Sequence, residues 1–153
     1  MAKKVAIQFC GGVGQPTGSN FLFEEPSGKK ILVDCGLLQG KKIAEDENRE
    51  PFPYDPKTID VLFITHAHID HVGRIPKLVH DGFRGVIYST PPTREIAELM
   101  LLDSMGVLAK ESAHDQKEPI YVEADVRATM ALWQTKGYHQ PLVIGEATFI
   151  LRD

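Results

Sequence analysis

The stretch Val61-Leu62-Phe63-Ile64-Thr65-His66-Ala67-His68-Ile69-Asp70-His71 decides how this chain is read. Its first four residues form the short apolar run that a buried strand presents. Directly behind them stand three of the chain's six histidines, within residues 66–71. In an extended segment, positions two apart point the same way, so His66 and His68 can present imidazoles to a single ion. Asp70 and His71 lie beyond, where the chain can bend into a helix and aim at a neighbouring point. Imidazole and carboxylate suit zinc, or manganese and iron where carboxylates are more numerous. Four such groups can build parts of two adjacent sites, and divalent ions about 3.5–4 Å apart can clamp one substrate oxygen. A solvated polar loop would explain a lone histidine better than it explains this cluster. The spacing also differs from the His-Glu-x-x-His zinc helix. The broad reading is a metal-dependent hydrolase.

Working outward, Val72, Ile75, Leu78 and Val79 recur at helical spacing, with Gly82 placed to end the helix. Residues 85–90 read as a strand, after which Thr90 and Pro91 open a helix with Ile96, Leu99, Met100 and Leu102 on its buried side. The polar stretch from Lys110 to Pro119 breaks that pattern. Glu123 and Asp125 start a further helix with the stripe Val126, Met130, Trp133. Leu142-Val143-Ile144 and Thr148-Phe149-Ile150-Leu151 form a hairpin about Gly145-Glu146.

Before the cluster, Val5, Ile7 and Phe9 alternate as in a half-buried strand. A glycine-rich loop over residues 11–19 follows. It lacks the Gly-Lys-Ser/Thr ending and the helix start of a nucleotide P-loop. Phe21-Leu22-Phe23 and Ile31-Leu32-Val33 are strands joined through Pro26-Ser27-Gly28, and the second ends in Asp34-Cys35-Gly36. Asp34 is read two ways, as a turn former or as a group that orients a ligand histidine from behind. Residues 41–57, with Pro51, Pro53 and Pro56, are expected to be an irregular surface excursion. A meander followed by alternating helices and strands gives the α/β (α+β) class, a sheet covered by helices on at least one face.

With 153 residues, 42% apolar and 25% charged, the chain has the profile of one ordinary globular domain. A net charge of −4 gives no support for a generally basic nucleic-acid surface, although two bound cations would offset that deficit locally. No apolar run approaches the roughly 18–20 residues of a membrane span, and the opening residues carry no secretory pattern. A cytoplasmic protein without a membrane partner is expected, with Cys10 and Cys35 as reduced thiols in loops. His80 is expected to meet the last carbonyls of its own helix, while His114 in a polar loop and His139 beside a strand are given no ligand role.

The run from Thr65 to Gly73 resembles the signature of the metallo-β-lactamase superfamily, a four-layered αββα fold of metal hydrolases. Residues 14–20 and 30–40, then 74–83 with 87–90, and Thr93 to Asp103 are similar to its β-CASP branch of RNA- and DNA-processing nucleases. The resemblance implies that His66 and His68 ligate a first metal and that Asp70 and His71 ligate a second. It carries Asp70 and His71 over as catalytic residues, and Asp34 as an aspartate that supports the site by hydrogen bonding. It further implies two divalent ions, Zn2+ first with Mn2+ or Fe2+ as alternatives, and hydrolysis of RNA, less so DNA, by a metal-activated hydroxide. A homodimer of the full-length form is compatible with it. The resemblance also implies ligands, and an inserted β-CASP domain, beyond Asp153. The expectation is therefore the N-terminal portion of a metallo-β-lactamase domain, with slight activity alone and apolar faces left exposed. Two alternatives stay open: a small-molecule hydrolase of the thioesterase or lactamase kind, and a non-catalytic scaffold subunit.

Overall fold

The computed structural model describes residues 5–40, 42–114 and 116–153. The chain opens as an antiparallel meander of β1 (Ala6–Gly11), β2 (Asn20–Glu24) and β3 (Lys30–Val33). From β3 onward the strands run parallel through β4 (Val61–Phe63), β5 (Val86–Ser89) and β6 (Trp133–Thr135), so that one six-stranded sheet follows chain order. Parallel neighbours need crossovers. These are α1 (Lys42–Arg49), then α2 (Ile69–Val72) with α3 (Ile75–His80), then α4 (Pro91–His114) with α5 (Glu123–Ala131). A separate hairpin pairs β7 (Pro141–Ile144) with β8 (Ala147–Ile150).

Alternation along the strands divides the side chains between two faces. Leu32, Leu62, Ile64 and Ile87 join Val72, Leu78, Leu101 and Val126 beneath the helices. Ile31, Val61 and Phe63 point the other way and meet Leu142, Ile144 and Phe149 of the hairpin, with the Phe63 and Phe149 rings stacked at 4.7 Å. Being buried on both faces, β3 and β4 read as unbroken apolar runs. The observed class is the expected α/β (α+β) one. Glu25, 4% exposed in the β2–β3 turn, fastens the hairpin to the sheet. Its carboxylate accepts from the backbone N–H groups of Ser27, Lys29 and Glu146, each at 3.1 Å, and from the Ser27 hydroxyl. That hydroxyl contributes most to holding the carboxyl down at about 2.

Residues 41–57 are not an irregular surface excursion. Their first half is α1, which holds no proline, because Pro51, Pro53 and Pro56 all follow its end. The second half wraps inward: Phe52 is buried, and the Tyr54 hydroxyl lies 3.0 Å from Asn20 Oδ1. The buried face of α4 also differs from expectation. Ile96, Leu99 and Leu102 are 51%, 68% and 40% exposed, whereas Ala97 and Leu101 are fully buried. Two apolar stripes run along this helix, and the small Ala97 lets its own stripe approach the sheet. α4 continues through Lys110 to His114, where no glycine or proline intervenes. Trp133 does not extend the stripe of α5. It opens β6, an unexpected strand, and donates its indole N–H to Ser89 Oγ at 2.9 Å. Val5, Ile7 and Phe9 alternate as expected, yet are 59%, 51% and 64% exposed, because β1 is an edge strand and the hairpin packs mainly on β3 and β4. Cys10 lies within β1 rather than a loop, and both cysteines are free thiols. Among the described residues no helix is long and apolar enough to cross a membrane.

Candidate metal centre

β3 and β4 are parallel neighbours, so the segments that leave their C-terminal ends meet. In open sheets of this kind that edge is where ligands bind. β3 runs into Asp34, which adopts the left-handed backbone (φ 59°) and is 2% exposed. Its carboxylate accepts from the Thr65 N–H at 2.9 Å, from the Thr65 hydroxyl at 2.9 and 3.0 Å, and from Ser19 Oγ at 3.1 Å. His71 Nδ1 is closer still, 2.7 Å from Asp34 Oδ2. Asp34 thus makes the turn and lies in hydrogen-bond contact with His71.

The chain passes from extended to helical between His68 and Ile69, and His68 stands at the N-cap of α2 with ψ 147°. This bend brings Asp70 and His71 back beside the extended pair. Ring centroids are 3.9 Å apart for His66 and His71 and 4.7 Å for His66 and His68. His71 Nε2 lies 3.8 Å from Asp70 Oδ2. Burial, then the neighbouring imidazoles of His71 and His68, lowers the pKa of His66 and favours its neutral form. A neutral imidazole keeps the lone pair a metal needs.

Backbone holds the arrangement from behind. Ser19 N donates to Asp70 O at 2.9 Å, Cys35 N to His71 O at 2.8 Å and Leu37 N to Ile69 O at 3.1 Å. Gly36 permits this contact, since a Cβ there would sit 1.6 Å from the Asp70 carbonyl oxygen. The glycine-rich loop ends at Gly18 (φ 81°), packed against Leu38, and delivers Ser19 to Asp34. It supports the site through that contact.

Asp34, His66, His68, Asp70 and His71 are thus brought together. The donor set, three imidazoles and a carboxylate on an open edge, has the chemistry for zinc, manganese or iron. It is a partial set: among the described residues no three histidine, cysteine, aspartate or glutamate side chains form a group that closes on one ion. The other histidines lie apart. His80 pairs with Asp125 of α5 at 3.1 Å rather than with its own helix carbonyls, and His139 pairs with Asp153 at 3.2 Å. His114 closes α4 instead of lying in a loop, and its side chain is outside the described residues. Cys35 is 1% exposed and belongs to the hydrophobic core, and burial chiefly pushes its thiol up to about 12. Sequence reading gave no role to Thr65, Ser19 or Gly36. Their only signal was position, each standing next to a motif residue or to a strand end.

Residues 14–117 match the metallo-beta-lactamase superfamily. The chain is 38% identical over 136 residues to ribonuclease TTHA0252 of Thermus thermophilus, covering 89% of this chain and 28% of that protein. It is 36% identical over 133 residues to transcription termination factor FttA of Methanosarcina mazei, covering 84% and 20% respectively. Cleavage and polyadenylation specificity factor 73 of Drosophila melanogaster is 34% identical over 134 residues, covering 84% and 18%. The chain thus spans 18–28% of the length of these relatives. Among solved structures it is similar to MEM-A1, a subclass B3 metallo-beta-lactamase from a soil metagenome library, with a TM-score of 0.53 at 15% identity, covering 89% of this chain and 46% of that one. That likeness establishes the fold. With residues 14–117 matched to the family and the fold shared, the chain belongs to the metallo-β-lactamase superfamily.

Proposed function

We propose that the whole protein is a metal-dependent ribonuclease that hydrolyses RNA phosphodiester bonds, and that this chain carries part of its metal centre. The observation that carries the reading is the packing of three imidazoles and Asp70 on the C-terminal edge of the sheet, with His71 gripped from behind by Asp34. The names of the relatives, a ribonuclease and a cleavage factor among them, supply the substrate class. In this reading His66, His68, Asp70 and His71 hold two divalent ions, zinc in first place and manganese or iron otherwise. The chain forms the N-terminal portion of the domain, and the greater length of the relatives supports that division.

Divalent ions bound there would supply Lewis acidity toward a phosphodiester oxygen and acidify a water. The chain's own residues do the rest. Asp34 orients His71 by accepting a hydrogen bond from its Nδ1–H, which keeps the ring proton on that nitrogen. Asp70, 3.8 Å from His71 Nε2, places negative charge beside the position where cations gather. The backbone bonds from Ser19, Cys35 and Leu37 keep α2 from shifting, and that rigidity preorganises the donors.

The test uses the protein as the cell makes it. Elemental analysis is expected to find zinc, manganese or iron, and a labelled RNA is expected to be cut. His66→Ala with His68→Ala is expected to abolish both. Cleavage that survives the double substitution, or a metal-loaded protein that leaves RNA intact, would overturn the proposal.

A further inference from the structure

One hydroxyl stands between the two halves of the histidine cluster. Thr65 Oγ1 lies 3.0 and 2.9 Å from the two oxygens of Asp34 and 3.0 Å from Nδ1 of His66. A threonine hydroxyl carries one proton and two lone pairs, whereas a carboxylate can only accept. The Thr65 proton therefore goes to Asp34, and the hydroxyl turns a lone pair toward His66. Only an N–H satisfies that lone pair, so the ring proton of His66 sits on Nδ1 and the free lone pair on Nε2. The other tautomer would leave two acceptors 3.0 Å apart with no proton between them. Asp34 fixes His71 in the same sense directly, through the 2.7 Å contact at Nδ1. Because that proton is already committed, the 3.4 Å separation between Thr65 Oγ1 and His71 Nδ1 needs no bond.

We propose that Thr65 is a positioning residue that relays the acceptor character of Asp34 to His66, fixing the tautomer in which Nε2 is offered to a divalent cation. One carboxylate then sets two histidines, His71 by contact and His66 through the hydroxyl. The inference rests on the metal-binding part of the function proposed above and is independent of the substrate. The peptide N–H of Thr65 donates separately to Asp34 Oδ1 at 2.9 Å, so Thr65→Val removes the relay and leaves the backbone anchor in place.

The test is 15N NMR of the histidine rings in metal-free protein at pH about 8, where imidazoles are neutral. Wild type is expected to show His66 protonated on Nδ1. Thr65→Val should show mixed tautomers at His66 with His71 unchanged, and its zinc affinity, measured by competition with a chelating dye, should fall roughly 10–100-fold. Thr65→Ser, which keeps the hydroxyl, should restore both. A wild-type His66 protonated on Nε2 would overturn the proposal, and this readout holds even if the valine variant fails to fold. So would a valine variant that keeps the wild-type tautomer, or a serine variant that restores neither property. Neither readout involves RNA, so a protein with the expected tautomer and zinc affinity that cuts no RNA would sink the substrate assignment alone.

Discussion

Gly36→Ala tests whether the site depends on the close approach of two backbone segments. The added Cβ would lie 1.6 Å from the Asp70 carbonyl oxygen and 2.0 Å from its carbon. Non-bonded atoms settle near 3.5 Å, so α2 and the 34–37 segment would have to separate by about 2 Å. Three backbone bonds tie that segment to α2 and the turn just after it, Cys35 N to His71 O, Leu37 N to Ile69 O and Arg74 N to Cys35 O, and none can stretch so far. Cys35 and Leu37 are 1% and 6% exposed, so water replaces their lost partners poorly. Each buried group left unpaired costs about 1–3 kcal/mol. Alanine returns about 0.4–1 kcal/mol by stiffening the unfolded chain. The expected net loss is about 3–5 kcal/mol, a large share of the roughly 5–15 kcal/mol that holds a domain folded. Urea denaturation measures it. Gly106→Ala is the matched control, because Gly106 lies inside α4 and a Cβ added there would meet nothing within 4 Å; alanine at that position should gain about 0.5–1 kcal/mol. A Gly36→Ala protein within about 1 kcal/mol of wild type would refute the reasoning, since it would mean that α2 is not fastened to the loop.

Glu25 gives an acid-limb prediction. Its folded-state pKa is depressed to about 2, so its contribution to stability is complete above the ordinary carboxylate value of 4.5 and is lost as the pH falls toward 2. The difference in Tm between wild type and Glu25→Gln should therefore shrink across that window, and a constant difference would contradict the hairpin clasp. Trp133→Phe removes the donor to Ser89 Oγ, which is fully buried, and should cost about 1–3 kcal/mol in chemical denaturation. A second substitution, Ser89→Ala, should cost less in that background than in wild type; equal costs would show that the bond contributes nothing. Ile7→Lys, at a half-exposed apolar position on an edge strand, should shift light-scattering profiles toward monomer, and an unchanged profile would mean that β1 is not a self-association surface.

The histidine–aspartate cluster was legible because its information lies in side-chain identity: His66, His68, Asp70 and His71 stand within six residues and are donor types whatever the chain does next. The central strands β3 and β4 were legible for a related reason, since burial on both faces leaves an unbroken apolar run such as Val61-Leu62-Phe63. The rotation of α4 was not. Its sequence offers two apolar stripes, and the burial of Ala97 and Leu101 in the core chooses between them, a fact of tertiary packing that periodicity cannot hold. The helix over Lys42–Arg49 was hidden by the prolines after it, which were read as if they governed the whole segment. β6 has three residues and two of them are exposed, too little for an alternation to register.

What the site adds to its motif comes from long-range geometry, and this explains why the supporting residues escaped the sequence. Asp34 meets His71 across 37 positions and Thr65 across 31, and each contact exists only because β3 and β4 lie side by side and end together. A motif reader sees a threonine before a histidine; the fold turns that threonine into the group through which a buried carboxylate reaches a second imidazole. The same logic accounts for the left-handed Asp34. A non-glycine residue in that region costs about 1–2 kcal/mol, with aspartate among the types that tolerate it best. Glycine would make the turn more easily, but only an aspartate there both turns the chain and collects the donors of Ser19, Thr65 and His71. The strain is retained because the position must carry a carboxylate, and the carboxylate is retained because two histidines take their orientation from it.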